Sequence, residues 1–182
     1  VRHNTLSDVI DVFLQPGDFY FGDRDTRIRT LLGSCISITM WHPRLLIGGM
    51  SHYMLPKRKS GSEQQLNGRY ADEAMKMFMY EIQAAKTSPQ EYEVKLFGGG
   101  NMFAQSKRRK LCGITECTIS TMGNCKDVAC KNVKIARLLV EQYGFTVTSE
   151  HMGGNGHRQI MFDISNGHAW VKYKQIEKQR AV

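Results

Sequence analysis

Ile36-Ser37-Ile38-Thr39-Met40-Trp41 alternates apolar and polar side chains, His42-Pro43-Arg44 follows, and Leu45-Leu46-Ile47-Gly48-Gly49-Met50 runs back as an apolar stretch. Alternation with period two predicts a half-buried strand, the proline-bearing triplet a turn, and the last stretch a returning strand. Together they predict an antiparallel hairpin. In such a pair the start of the first strand lies beside the finish of the second. Cys35 directly precedes the first strand, and His52 closes the second in Gly48-Gly49-Met50-Ser51-His52-Tyr53-Met54-Leu55-Pro56. The hairpin therefore predicts that one thiol and one imidazole share an end of the sheet. A cysteine is a useful nucleophile only as thiolate, and imidazole is the side chain suited to make it one near neutral pH. Gly33 before the cysteine and Gly48-Gly49 before the histidine leave backbone uncovered, so that a substrate can come close. Against this stands the ordinary fate of a free cysteine, which packs as a small hydrophobe.

The remaining segments extend the pattern outward. Leu6 to Leu14 is short and partly apolar, and Pro16-Gly17-Asp18 is a turn. Phe19-Tyr20-Phe21 and Ile28-Arg29-Thr30-Leu31 are expected as short strands. Pro56 to Asn67, with Lys57-Arg58-Lys59, Gly61 and Ser62, is expected as an exposed loop beside the hairpin's end. Ala71, Ala74, Met75, Phe78 and Ile82 recur three or four positions apart, predicting an amphipathic helix over Arg69 to about Ala85. On that helix Met75, Met77 and Met79 are expected to fill core gaps or lie at the helix edge. Val94 to Phe97 is a strand running into Gly98-Gly99-Gly100-Asn101, a loop without the Lys-Ser/Thr ending that a phosphate loop requires.

Ala104 to Lys126 is polar, rich in cysteine, and expected as an insertion. Val128, Val133, Ala136, Leu139 and Val140 predict a second helix, ended by Gly144 as a glycine cap. A strand at Phe145 to Thr148, a turn at Gly153 to Gly156, and a closing hairpin of Gln159–Phe162 with Ala169–Val171 around Asn166-Gly167 complete the chain. Many strands with two helices give an α+β domain in which helices pack on sheet faces.

Composition narrows the function. One domain spanning residues 1–182 is expected, since no linker of proline, glycine and serine divides the chain. No apolar run of about 18 residues is present to span a bilayer. The start, Val1-Arg2-His3-Asn4-Thr5, lacks the apolar core of a secretory signal, and a cytoplasmic protein without membrane insertion is expected. Five cysteines fit a reducing compartment better than a disulfide framework. Cys112, Cys117, Cys125 and Cys130 form a C-x4-C-x7-C-x4-C series, but structural zinc pairs are closer and lie farther from each other, so scattered thiols are expected and no metal. The net charge of +8 is concentrated in Lys57-Arg58-Lys59 and Lys107-Arg108-Arg109-Lys110. With no nucleic-acid-binding module around these runs, an acidic protein surface is the better partner and nucleic acid is not expected.

With those segments placed, the chain resembles the CheD family of chemoreceptor glutamine deamidases. The residues that carry the likeness are Thr30-Leu31-Leu32-Gly33-Ser34-Cys35 and Gly48 to Pro56. Tyr70 to Met75, Lys95 to Phe103, and Gly153-Gly154 with Arg158 ahead of Met161-Phe162-Asp163 add support. The resemblance implies an α/β/α layered sandwich with mixed, largely antiparallel sheets and helices on its outer faces. It implies a cysteine hydrolase, working without a cofactor, that converts glutamine side chains of methyl-accepting chemotaxis receptors to glutamate and releases ammonia. By motif match Cys35 is the nucleophile, His52 the base and Thr30 the residue that orients the histidine, although an ungapped match places Arg29 at the third position. Gly33, Ser34, Gly48 and Gly49 are then the candidates for substrate and oxyanion contacts. A CheC-type phosphatase is an implied partner, and a non-catalytic chemotaxis binding module is the competing class.

Overall fold

The computed structural model describes residues 9–58, 65–102 and 127–176. The expected insertion at 104–126, with Cys112, Cys117, Cys125 and the Lys107–Lys110 run, lies outside the described residues. Nine strands and two α-helices are described: β1 (Ile10–Leu14), β2 (Phe19–Asp23), β3 (Thr26–Leu32), β4 (Ile36–His42), β5 (Ile47–Tyr53), α1 (Ala71–Ala84), β6 (Glu93–Gly98), α2 (Val128–Gln142), β7 (Thr146–Met152), β8 (Gly156–Asp163) and β9 (Ala169–Gln175). They form a five-stranded sheet in the order β2-β5-β4-β6-β7 and a four-stranded sheet in the order β1-β3-β8-β9. β1–β3 and β6–β7 are parallel and the other pairs antiparallel. The fold is thus an α+β layered sandwich with mixed, largely antiparallel sheets.

Two apolar cores hold the layers. Ile36, Ile38 and Met40 of β4, Val94 and Leu96 of β6, Ala71, Met75, Phe78 and Ile82 of α1, and Val133, Ala136, Leu139 and Val140 of α2 form the first. All five residues expected on the buried face of α1, Ala74 included, are buried, because a 3.6-residue period brings them onto one stripe. Val128 is the exception on α2, where it begins the helix and is 41% exposed. The second core lies between the sheets and contains Leu14, Ile28, Leu32, Met50, Phe97, Ile160, Phe162 and Ile164. Among the described residues both helices pack on the five-stranded sheet, so the layers run helices, five strands, four strands.

Three local expectations change. The alternation in β4 predicts one solvated face, yet Ser37 and Thr39 are buried, because the second sheet covers the side opposite the helices. The return strand begins at Ile47 instead of Leu45; Leu46 takes a left-handed φ of 51°, and its N–H bonds the His42 carbonyl at 2.9 Å. The basic residue Arg58, expected in a solvated run, instead makes paired 2.8 Å bonds to the buried Glu73 of α1. That guanidinium holds the Glu73 carboxyl below its ordinary range.

Both helices end in the same way. At α2 the Gly144 N–H bonds Glu141 O and the Phe145 N–H bonds Val140 O, with Gly144 at φ 75°. At α1 the same two bonds run from Lys86 to Gln83 and from Thr87 to Ile82, but Lys86 occupies the left-handed position at φ 54°. A residue with a Cβ is strained there and glycine is not. Lys86→Gly should therefore raise stability by about 0.5–1 kcal/mol, read as a higher urea midpoint with an unchanged slope.

Candidate active site

β4 and β5 pair Ile36 with Tyr53 and Ser37 with His52. Cys35 precedes Ser37 by two residues, so alternation gives Cys35, Ser37 and His52 the same face of the sheet. That face looks into the inter-sheet core, where Cys35 packs, half-buried, against the cluster of Leu14, Leu32, Met50 and Phe97. His52 is buried on the same side, and its Nδ1 lies 2.7 Å from the Oγ1 of Thr30. Thr30 belongs to β3, in the other sheet. Along β3 inward and outward residues alternate: Thr26, Ile28, Thr30 and Leu32 are buried, whereas Arg29 is exposed and faces Asp11 at 3.5 Å. Thr30, and not Arg29, therefore meets the imidazole.

The tautomer follows from counting protons. The Thr30 hydroxyl donates its single hydrogen to the Leu14 carbonyl at 2.9 Å. It can meet Nδ1 only as an acceptor, so Nδ1 carries the ring hydrogen. Nε2 is left with a lone pair, and it has no hydrogen-bond partner among the described residues. Burial lowers the His52 pKa to about 4, opposed by the Leu14 carbonyl and the Asp18 charge. Burial also pushes the Cys35 thiol up. At neutral pH the pair therefore rests as imidazole and thiol.

Backbone around Cys35 is held closely. The carbonyls of Gly33 and Cys35 accept from the N–H groups of Gly100 and Gly99, both at 2.8 Å, and the Ser34 carbonyl accepts from Asn132 Nδ2 at 3.1 Å. The Gly98-Gly99-Gly100 loop thus approaches this chain's own Gly33–Cys35 segment. A Cβ on Gly98 would lie 2.1 Å from the Cys35 carbonyl oxygen. Gly33 has Met102 over it, 3.1 Å from where a Cβ would stand. Gly48 and Gly49 are in a different place: they pair with Trp41 and Met40 inside β5, where a Cβ would strike the carbonyls of Met40 at 2.3 Å and Tyr20 at 2.4 Å. Strand packing accounts for these two glycines, and the fold does not bring them to the Cys35–His52 end.

Asn132 went unread in the sequence, and Arg158 was read there only as part of a motif that supports the resemblance. Asn132 is fully buried on α2, and its Nδ2 also donates to the Met54 carbonyl at 2.8 Å. Its signal was a polar side chain on the stripe of Val133, Ala136 and Leu139. Arg158, 2% exposed, donates to His151 Nδ1 at 2.8 Å and the Gly153 carbonyl at 2.5 Å, and stacks on Tyr173. Cys130 is buried on α2; its three companions in the zinc series lie outside the described residues.

The family model for CheD, described as CheD chemotactic sensory transduction, matches residues 54–173. The chain belongs to the CheD family. Among its relatives, the probable chemoreceptor glutamine deamidase CheD 3 of Dechloromonas aromatica (strain RCB) is 44% identical over 169 residues, 93% of this chain and 91% of that protein. The probable chemoreceptor glutamine deamidase CheD of Pseudomonas fluorescens (strain SBW25) is 46% identical over 166 residues, 91% of this chain and 86% of that protein. The family-model match starts after His52, whereas an alignment over 93% of the chain takes in the whole β3–β5 region. Of solved structures, the hypothetical protein YfiH of Bacillus licheniformis is similar at a TM-score of 0.41 and 11% identity over 73% of this chain, which spans about half (49%) of that one. Among the described residues of this CheD-family chain, no helix is long and apolar enough to cross a membrane.

The lowered His52 pKa has a consequence for stability. The unfolded chain protonates this histidine near 6.5 and the folded chain near 4, so between those values the unfolded state binds more protons. Its contribution is fully present above pH 6.5 and is lost as pH falls towards 4. His151, also lowered by burial, adds to the same window. Urea midpoints measured from pH 7 to 4.5 should fall, and His52→Gln should flatten part of that fall.

Proposed function

We propose that this CheD-family protein is a chemoreceptor glutamine deamidase that works through a thioester on Cys35. The observation that carries the proposal is the Thr30–His52 contact, which leaves the lone pair of Nε2 on the sheet face that Cys35 shares. The relatives' names support glutamine of chemoreceptors as the substrate, which the resemblance narrows to side chains of methyl-accepting chemotaxis receptors. A cytoplasmic single-domain protein fits that substrate, with a CheC-type phosphatase as a further partner.

A carboxamide is a weak electrophile with a poor leaving group, so the site must supply both a strong nucleophile and a proton. His52 Nε2 takes the thiol proton as Cys35 Sγ attacks the glutamine Cδ. With both groups neutral at rest, proton transfer accompanies attack and no ion pair is stored beforehand. Negative charge develops on the amide oxygen, where backbone N–H groups of Ser34 and Cys35 are the donors. The imidazolium then protonates nitrogen, the C–N bond breaks, and ammonia leaves a thioester. Neutral His52 takes a proton from water as the hydroxyl adds to the same carbon. The C–S bond breaks, the sulfur recovers its proton, and glutamate is released. This sequence consumes one water and calls for no redox partner.

Cys35→Ala should abolish conversion of receptor glutamines, followed by mass spectrometry of peptides from a receptor fragment, while the circular dichroism spectrum is unchanged. Wild-type conversion in that variant would favour the binding-module class, with Cys35 as a packing residue. His52→Ala should lower kcat by about 10²–10⁴. In the wild type the acid limb of kcat/KM should lie near pH 4, below the ordinary imidazole value, because the base stays neutral down to its folded pKa. A limb at 6.5 would contradict the buried base.

A further inference from the structure

We propose that Asn132 is a positioning residue of the active site, holding the peptide unit between Ser34 and Cys35 so that the Cys35 N–H faces the substrate's developing oxyanion. The inference rests on the proposal that Cys35 is the nucleophile, and adds a residue on a helix that does not touch the reacting atoms.

The argument begins with three consecutive carbonyls. Those of Gly33, Ser34 and Cys35 all accept hydrogen bonds, from Gly100 N–H, Asn132 Nδ2 and Gly99 N–H. The N–H groups of Ser34 and Cys35 donate to no group among the described residues. A trans peptide is planar, and its C=O and N–H point in opposite directions. Whatever fixes the Ser34 carbonyl therefore fixes the Cys35 N–H, and that carbonyl is held by Asn132 alone among the described residues. Asn132 stands on α2, on the helix side of the five-stranded sheet, while the Cys35 side chain packs on the inter-sheet side with His52. Drawing the Ser34 oxygen towards α2 turns the Cys35 N–H away from it.

The same amide also ties the two ends of the hairpin. Its second hydrogen goes to the Met54 carbonyl, two residues beyond His52. Tyr53, beside His52, in turn donates its hydroxyl to the Asn132 main-chain carbonyl at 2.6 Å. Asn132 Oδ1 is buried without a partner, so the amide sits where only its donor half is satisfied. An aliphatic residue would suit an apolar helix stripe better; the two donated bonds are what an asparagine adds there.

The test compares two reactions of the same thiol in the full-length protein. Deamidation of a receptor fragment generates an oxyanion, whereas alkylation by iodoacetamide does not. Asn132→Leu, close in volume and without donors, should lower kcat at least about 10-fold, as loss of an oxyanion donor does, with KM little changed and the alkylation rate of Cys35 within about 2-fold of wild type. Wild-type kcat in Asn132→Leu would overturn the proposal. A parallel fall in deamidation and alkylation would overturn it as well, because it would show that the amide serves only the thiol and imidazole. Should Asn132→Leu not fold, Asn132→Ala carries the same comparison. Cys35→Ala is run alongside, and activity in that variant would sink the nucleophile assignment itself, separately from the role of Asn132.

Discussion

The contact between Thr30 and His52 crosses from one sheet to the other, and the site exists only while those sheets are stacked. Stacked sheets lie about 10 Å apart, a gap that two side chains of this size can just close. The threonine is in turn fixed by a carbonyl of β1, so three strands from two sheets converge on one imidazole. At the opposite end of the hairpin the stack is tied again, by Trp41 Nε1 to the Ile164 carbonyl at 2.8 Å and Lys95 Nζ to the Gly167 carbonyl at 2.5 Å. The inter-sheet core between these ties sets the spacing. A change in its volume would thus be felt at His52 as a displacement of fractions of an ångström, which is the scale on which hydrogen bonds fail.

Burial makes a choice between two kinds of resting site. A stored thiolate–imidazolium pair would require desolvating two charges, and the attraction between them repays that cost only with further hydrogen bonds. Here Nε2 has no such bond, so neutrality is the cheaper state. An unpaired buried acceptor still costs about 1–3 kcal/mol. On the proposed mechanism Nε2 gains a partner, the thiol hydrogen, only as Cys35 attacks, so that interaction is stronger in the transition state than at rest. Such asymmetry is what raises a rate instead of merely tightening binding.

The hairpin, both helix faces and the shared sheet face of Cys35 and His52 were legible because each depends on periodicity within a short window. Thr30 was also legible in principle: Ile28 and Leu32 mark the inward face of β3, and a period of two puts position 30 with them and Arg29 outside. The second sheet was not. Pairing β3 with β8 joins Leu32 to Arg158 across more than a hundred residues, and no local pattern encodes a partner at that distance. Burial of Ser37 and Thr39 was hidden for the same reason, since alternation reports which residues share a face and not what covers it. Gly48 and Gly49 misled because a glycine required by a neighbouring strand and one required by a ligand look alike in sequence.

The segment around Cys35 is held by backbone more than by side chains, which suits the oxyanion site of the proposed mechanism. Gly99 and Gly100 reach the segment of Gly33 to Cys35, Gly153 N–H bonds the Gly98 carbonyl at 2.8 Å, and Asn101 N–H bonds the Gly154 carbonyl at 2.7 Å. Close approach of three chain segments is possible only where Cβ atoms are missing; one on Gly100 would lie 2.0 Å from the Gly156 carbonyl. Arg158 braces this layer from within by bonding the Gly153 carbonyl, and among the described residues it forms no ion pair with a carboxylate. On the proposed mechanism a carboxylate there would add negative charge beside a negative transition state. On that proposal the guanidinium's positive charge and the fixed peptide dipoles both act in the required direction, so Arg158 would serve the site's field as well as its rigidity.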